Sequence, residues 1–416
     1  MTHAVTTASR RARRTRSARP GTSEASHGTA QHRASRDRVG PVSTRVVVAC
    51  TAFGLATVAA AYDAGLLPVD GPQVLVTVVN TPDPATATPL TQVAGVTGLR
   101  DRFDAVHHLN DAVAPRHPRG WRPGTADLPG WERELRRRWG LGDDEVTLLS
   151  ESVAGEPAHA LARVFATAPL EVYADGLMSY GPTGGPVADD VGRRLGRLLH
   201  LDLVPGLVPV LLRERDVACT VVPSSALREV VAAGAGADEG PRAGRHERPC
   251  TALVLGQYLA TDGLLEPQEE IELYAAMVRR CGDLGHERVV FKQHPSAPAD
   301  QGAAVGRLVA GPGGPVAPFV VARRAELAEA WFARGEADLV VGCFSTALLT
   351  ASTCYGLPVA RLGTETVLAR MSPLADLNRV PALLVEATVP ELGTKPAGPA
   401  VVPDDLQDLL EALVST

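Results

Sequence analysis

Residues 45–66 read RVVVACTAFGLATVAAAYDAGL, and whether they cross a membrane or fold into a core decides the rest. The apolar run from Val46 to Asp63 spans roughly 17 residues, the short limit for crossing a bilayer. It follows an arginine-rich segment, so a signal peptide or anchor competes with a buried strand and helix. The internal pattern separates the two. Three valines open the run, Thr51-Ala-Phe-Gly54 breaks it, and an alanine-rich half follows that suits a helix. No stop-transfer pattern comes after it. A β-strand followed by a buried helix accounts for the segment better.

Working outward, the same alternation repeats. QVLVTVVN reads as a second strand and FDAVHHLND as a third with its exit; residues 115–130, rich in Pro, Gly and Trp, read as a surface loop. WERELRRRWG is a helix, EVTLLSES a strand, PAHALARVFATA a helix and LEVYADG a strand. Residues 232–249, AAGAGADEGPRAGRHERP, interrupt the pattern and read as a linker. Alternation then restarts with TALVLGQ, EPQEEIELYAAMVRRCG, RVVFKQHP, AELAEAWFARG, ADLVVGC, STALLTASTCYG and PVARLG, and DDLQDLLEALVS closes as an amphipathic helix. Strands alternating with helices at this spacing predict parallel, doubly wound sheets. The expected organisation is a disordered basic tail (1–44), a Rossmann-like domain (45–231), the linker (232–249), a second Rossmann-like domain (250–390) and a C-terminal tail helix (391–416). The two α/β domains face a central cleft.

Charge and cysteine narrow the function classes. Residues 1–40 carry nine arginines against Glu24 and Asp37, about +7, so a chain of net charge −6 leaves about −13 elsewhere. No basic face is available for nucleic acid on the folded part. The tail is a candidate for peripheral contact with anionic lipid at the cytoplasmic membrane face. Six scattered cysteines, without a CxxC pair or a zinc-spaced histidine, point to a reduced, cytoplasmic protein with no metal site. GxGxxG, the P-loop and GxSxG are all missing, which removes the fingerprints of dinucleotide, P-loop and hydrolase chemistry.

Three strand exits remain. In VVFKQHPSAP (289–298), one of only two lysines, Lys292, precedes His294-Pro295 at the end of a buried strand. An imidazole and an ammonium emerging there suit a phosphate; the plain alternative is a loop histidine capping a carbonyl. In VVGCFSTALLTA (340–351), Ser345 and Thr346 open a helix whose first-turn amides suit an anion, although an N-cap serine needs no other reason. In EVYADGLMSYGPTGG (171–185), Asp175 follows a strand and could accept a proton from a hydroxyl; an Asx turn explains the same dipeptide.

In this order the three resemble the bacterial α-2,8-polysialyltransferase family, whose acidic motif, His-Pro motif and Ser/Thr motif correspond to Ala174-Asp175-Gly176, His294-Pro295 and Ser345-Thr346. YADGLMSYGPT, GQYL, VFKQHPSAP and VVGCFSTAL read as a set, over roughly residues 45–385. The resemblance implies a GT-B fold and an inverting, metal-independent transfer of sialic acid from CMP-sialic acid to a glycan hydroxyl, with no cofactor. Carried over, Asp175 is the general base, His294 assists departure of the phosphate, and Ser345 and Thr346 hold it. Lys292 and Pro295 flank it, and Gly256 and Gln257 lie against the nucleotide or its sugar. The partners are then a nucleotide-sugar donor and a glycan acceptor of a cell-surface polysaccharide. One departure stands out: Ala174 occupies the place of the family's first acid. A GT-B enzyme using another nucleotide sugar and a non-catalytic binding protein are the alternatives.

Overall fold

The structure, a computed structural model, describes residues 43–81, 87–236, 248–311, 318–322, 325–372, 377–393, 403 and 405–414. The basic tail through residue 42 and residues 237–247 of the expected linker lie outside them.

The RVVVA stretch is a strand and the alanine-rich stretch a helix, as the internal pattern implied. Strand β1 (Ser43–Ala49) is buried almost throughout and leads into the helix Ala52–Asp63. That helix is buried at every position from Gly54 to Ala61, because it packs between the sheet and the helix Ser224–Gly234. A helix apolar on all sides is what such a two-sided position requires. Each fully covered leucine or valine, such as Leu55 and Val58, contributes about 1.5–3 kcal/mol relative to exposure. Among the described residues no helix is long and apolar enough to cross a membrane.

Strands β2 (Gln73–Thr77), β3 (Ala105–His108), β4 (Glu145–Ser150), β5 (Leu170–Tyr173), β6 (Leu195–Leu201) and β7 (Ala218–Val222) complete a first sheet in the order β3-β2-β1-β4-β5-β6-β7. Strands β8 (Thr251–Leu255), β9 (Arg288–Lys292), β10 (Phe319–Val321), β11 (Leu339–Gly342) and β12 (Val359–Arg361) form a second, ordered β10-β9-β8-β11-β12. Their pairings are parallel throughout. Each sheet reverses winding direction once, between β1 and β4 and between β8 and β11, and ligands of open α/β sheets bind beyond the strand ends at such points. One apolar cluster runs from Val47 and Leu55 through Val230 to Val254, Val340 and Leu349, so the two layers share a core. These are the two facing α/β sheets of a GT-B fold.

Several elements depart from expectation. Residues 115–130 are not simply a surface loop. Trp121 is only 1% exposed, packs edge-on against Trp131 at 5.2 Å between ring centres, and pins short turns before the helix Leu128–Trp139. Strands β6, β7 and β10 were not legible as strands. In β6, Arg197 pairs with Glu171 at 2.8 Å and breaks the apolar alternation, while β7 and β10 are sheet edges with exposed side chains. The helix Arg379–Thr388 carries Pro381 in its first turn, where the missing amide costs nothing. The closing helix, Leu406–Val414, returns to the first half of the chain: Gln407 Oε1 accepts from Val208 N at 3.0 Å, and Arg213 pairs with Glu411 at 2.6 Å.

Candidate active site

Both winding reversals open onto one cleft of about 1010 Å³, lined by Asp175, His294, Ser345 and Thr346 together. Lys292, Pro295, Gly256 and Gln257 line it as well, so the eight residues expected to form the site share a single cavity.

The first sheet supplies the acid. Buried Tyr173 donates to Val48 O at 3.0 Å and ties the end of β5 to β1. Two residues on, Asp175 Oδ2 accepts from Thr51 Oγ1 at 2.8 Å. The same hydroxyl caps the helix Ala52–Asp63 by accepting from Gly54 N at 2.9 Å. Gly54 has to be glycine, since a Cβ there would sit 2.9 Å from both Thr51 Oγ1 and Tyr173 Cε2. Burial raises the Asp175 carboxyl above its ordinary value, and the bond from Thr51 works against that rise.

The second sheet supplies cations and donors. His294 Nδ1 accepts from Ser296 N at 3.0 Å, which leaves Nε2 to carry the proton, and the ring packs on Tyr258 at 4.5 Å between centres. Lys292 is 5% exposed, and its ammonium donates to Gln293 O at 3.1 Å. Nearby Glu329 is raised by burial, a rise that its bond from Thr350 at 2.7 Å and the Lys292 charge both oppose.

The side chains of three residues expected to contact the donor already have structural partners. Gln257 Oε1 accepts from Phe344 N at 3.0 Å, pinning the exit of β11 to that of β8. Gln257 N in turn donates to Tyr274 OH, which donates to Glu270, an acid that also accepts from Leu259 N and Ala260 N. Gln257 therefore sets the cavity wall. Ser345 Oγ is the N-cap, accepting from Ala347 N at 3.3 Å. Thr346 Oγ1 accepts from Leu177 N at 3.4 Å across the cleft. Gly256 leaves room for Phe291, whose Cζ a Cβ would meet at 2.7 Å.

Position 174 faces away from the cleft. Ala174 is 1% exposed, within the apolar cluster on the far side of the first sheet. Among the cavity residues that sequence reasoning missed are Glu151, Arg119, Tyr258 and Glu329, as well as Thr51, which bonds Asp175. Glu151 was findable: it stands immediately after β4, at the same kind of strand exit that drew attention to Lys292 and Asp175.

Two parallel sheets whose reversals meet at one cleft define the class, a GT-B protein. The Alpha-2,8-polysialyltransferase (POLYST) family model matches residues 45–364, and the chain belongs to that family. It is a glycosyltransferase. No curated protein sequence matches the chain. Similar solved structures include Acinetobacter baumannii MurG, at 13% identity, TM-score 0.41 and coverage of 90% of this chain and 91% of that one. S. aureus MnaA with UDP aligns at 11% identity and TM-score 0.46, covering 83% and 87%. E. coli ADP-heptose LPS heptosyltransferase II aligns at 13% and 0.38, covering 90% and 99%.

Proposed function

We propose that this glycosyltransferase moves sialic acid, or a related sugar acid, from a CMP-activated donor to a glycan hydroxyl with inversion and without a metal ion. The observation that supports this most is the convergence of Asp175, His294 and Ser345-Thr346 on one cavity, acid from one sheet and phosphate-type donors from the other.

In this scheme Asp175 accepts the proton of the acceptor hydroxyl as its oxygen bonds the anomeric carbon, and burial makes it a stronger base than a solvated aspartate. The bond from that carbon to the phosphate breaks, and the electron pair leaves on CMP. His294 Nε2–H, the Lys292 charge and the amides of the Ser345–Thr346 turn stabilise the growing negative charge. With this set of donors, chelation by EDTA leaves turnover unchanged; a loss restored by a divalent ion would overturn the metal-free part. The location is the cytoplasm, with the basic tail in contact with anionic lipid.

The direct test is incubation with CMP-sialic acid and a lysate-derived glycan pool, followed by mass spectrometry. Glycans heavier by sialic acid, together with released CMP, are expected. Transfer only from a UDP- or GDP-linked sugar would assign a different donor.

A further inference from the structure

The acid that the motif lacks at Ala174 has a spatial replacement. Parallel strands β4 and β5 pair with Ser150 opposite Val172, so Glu151 is level with Tyr173 and emerges beside Asp175 at the mouth of the same cavity. Its Oε2 is enclosed and meets no hydrogen-bond donor among the described residues. No arginine or lysine forms an ion pair with it among the described residues, unlike Glu171 one turn of strand below, which holds Arg45 and Arg197. A carboxyl in that position lacks the charge partner that usually accompanies burial.

We propose that Glu151 and Asp175 work as one proton-sharing pair, Glu151 keeping the proton and Asp175 the charge, so that Glu151 is the positioning acid for the base. The proposal rests on the glycosyl-transfer reading. Two carboxylates side by side in a low-dielectric pocket do not both ionise at neutral pH. Cys50, just after β1, and Tyr173, at the end of β5, flank the pair and are held neutral by burial; Tyr258 and Glu329 feel Asp175 from the second sheet, and of the cavity's cations Arg119 acts on Cys50 and Tyr258 and Lys292 on Glu329. Burial first and the Asp175 charge second push Glu151 up to about 8.

The chemistry balances. At neutral pH the pair holds one proton. When the acceptor oxygen bonds the anomeric carbon, its proton passes to Asp175, the pair holds two, and one returns to solvent after the product leaves. Above about pH 8 Glu151 also ionises, and two adjacent negative charges oppose an anionic donor.

Two measurements on the full chain test this. In the first, infrared titration without donor compares wild type with Glu151→Gln. The difference spectrum should show a neutral carboxyl that persists through neutral pH and disappears near pH 8; no carboxyl titrating above neutrality would overturn the pairing. In the second, kcat/KM for transfer is followed against pH. Glu151→Gln stays neutral, so the fall above pH 8 should vanish. Asp175→Asn should lose roughly 10²–10⁴-fold at every pH. An unchanged alkaline limb in Glu151→Gln would contradict the proposal, and Glu151→Ala, equally unable to ionise, serves if the glutamine variant fails to fold. Inactive wild type with CMP-sialic acid would refute the donor assignment, and the infrared result would still decide the pair.

Discussion

Thr51 Oγ1 joins two tasks at one atom, capping the helix Ala52–Asp63 and holding Asp175 Oδ2. Thr51→Val keeps the shape and removes both bonds. Loss of the cap should cost about 1 kcal/mol, seen as a lower denaturant midpoint, and the unheld carboxylate should cut kcat at least about tenfold. Wild-type kcat would show that Asp175 needs no such support. Glu151 gives a stability prediction of definite sign. Its carboxyl rises from 4.5 to about 8 in the folded chain. The stability linked to its neutral form is therefore complete below 4.5 and is lost as pH rises towards 8. The melting temperature of wild type should fall across that window more steeply than that of Glu151→Gln, and equal slopes would mean an ordinary carboxylate. At this scale the sequence was readable where a rare residue marked a strand exit, as Lys292 and His294 do. It named Gln257, Ser345 and Thr346, and the capping role of Ser345, but not the bonds of Gln257 to Phe344 and of Thr346 to Leu177, which depend on neighbours brought together only by folding.

Between elements, the closest meeting of the acidic and Ser/Thr motifs is at Gly176. Its φ is +61°, and a Cβ would lie 2.3 Å from Thr346 Cγ2. Gly176→Ala should therefore wedge the two turns apart as well as strain the backbone. The expected result is a clear drop in transfer rate with circular dichroism unchanged, because the strain lies between sheets rather than inside one. Unaltered kinetics would mean that the two motifs act without touching. The βα units 45–66 and 251–283 could be read from periodicity because each strand is covered on both faces and a helix is the next element. The strands β6, β7 and β10 could not, since edge positions and the Arg197–Glu171 pair remove the apolar pattern on which such reading depends.

For the whole molecule, the return of the helix Leu406–Val414 to the first half, through Val208 and Arg213, ties the chain's end across the fold. The two-sheet architecture was legible because its alternation is long; this closure was not, since an amphipathic pattern does not name the face it covers. Nucleotide selection also belongs to this scale. A ligand that binds only the folded chain stabilises it by about 2.7 kcal/mol at a hundred times its Kd. CMP should therefore raise Tm more than UMP or GMP at equal concentration, and a larger shift with UMP would reassign the donor.

The most direct measurement is a crystal structure with CMP bound. The phosphate should lie within hydrogen-bonding distance of His294 Nε2 and the Ser345–Thr346 turn, with the Asp175 carboxylate facing it across open space for an acceptor. CMP lodged outside the cleft, or held with its phosphate away from both His294 and that turn, would contradict it.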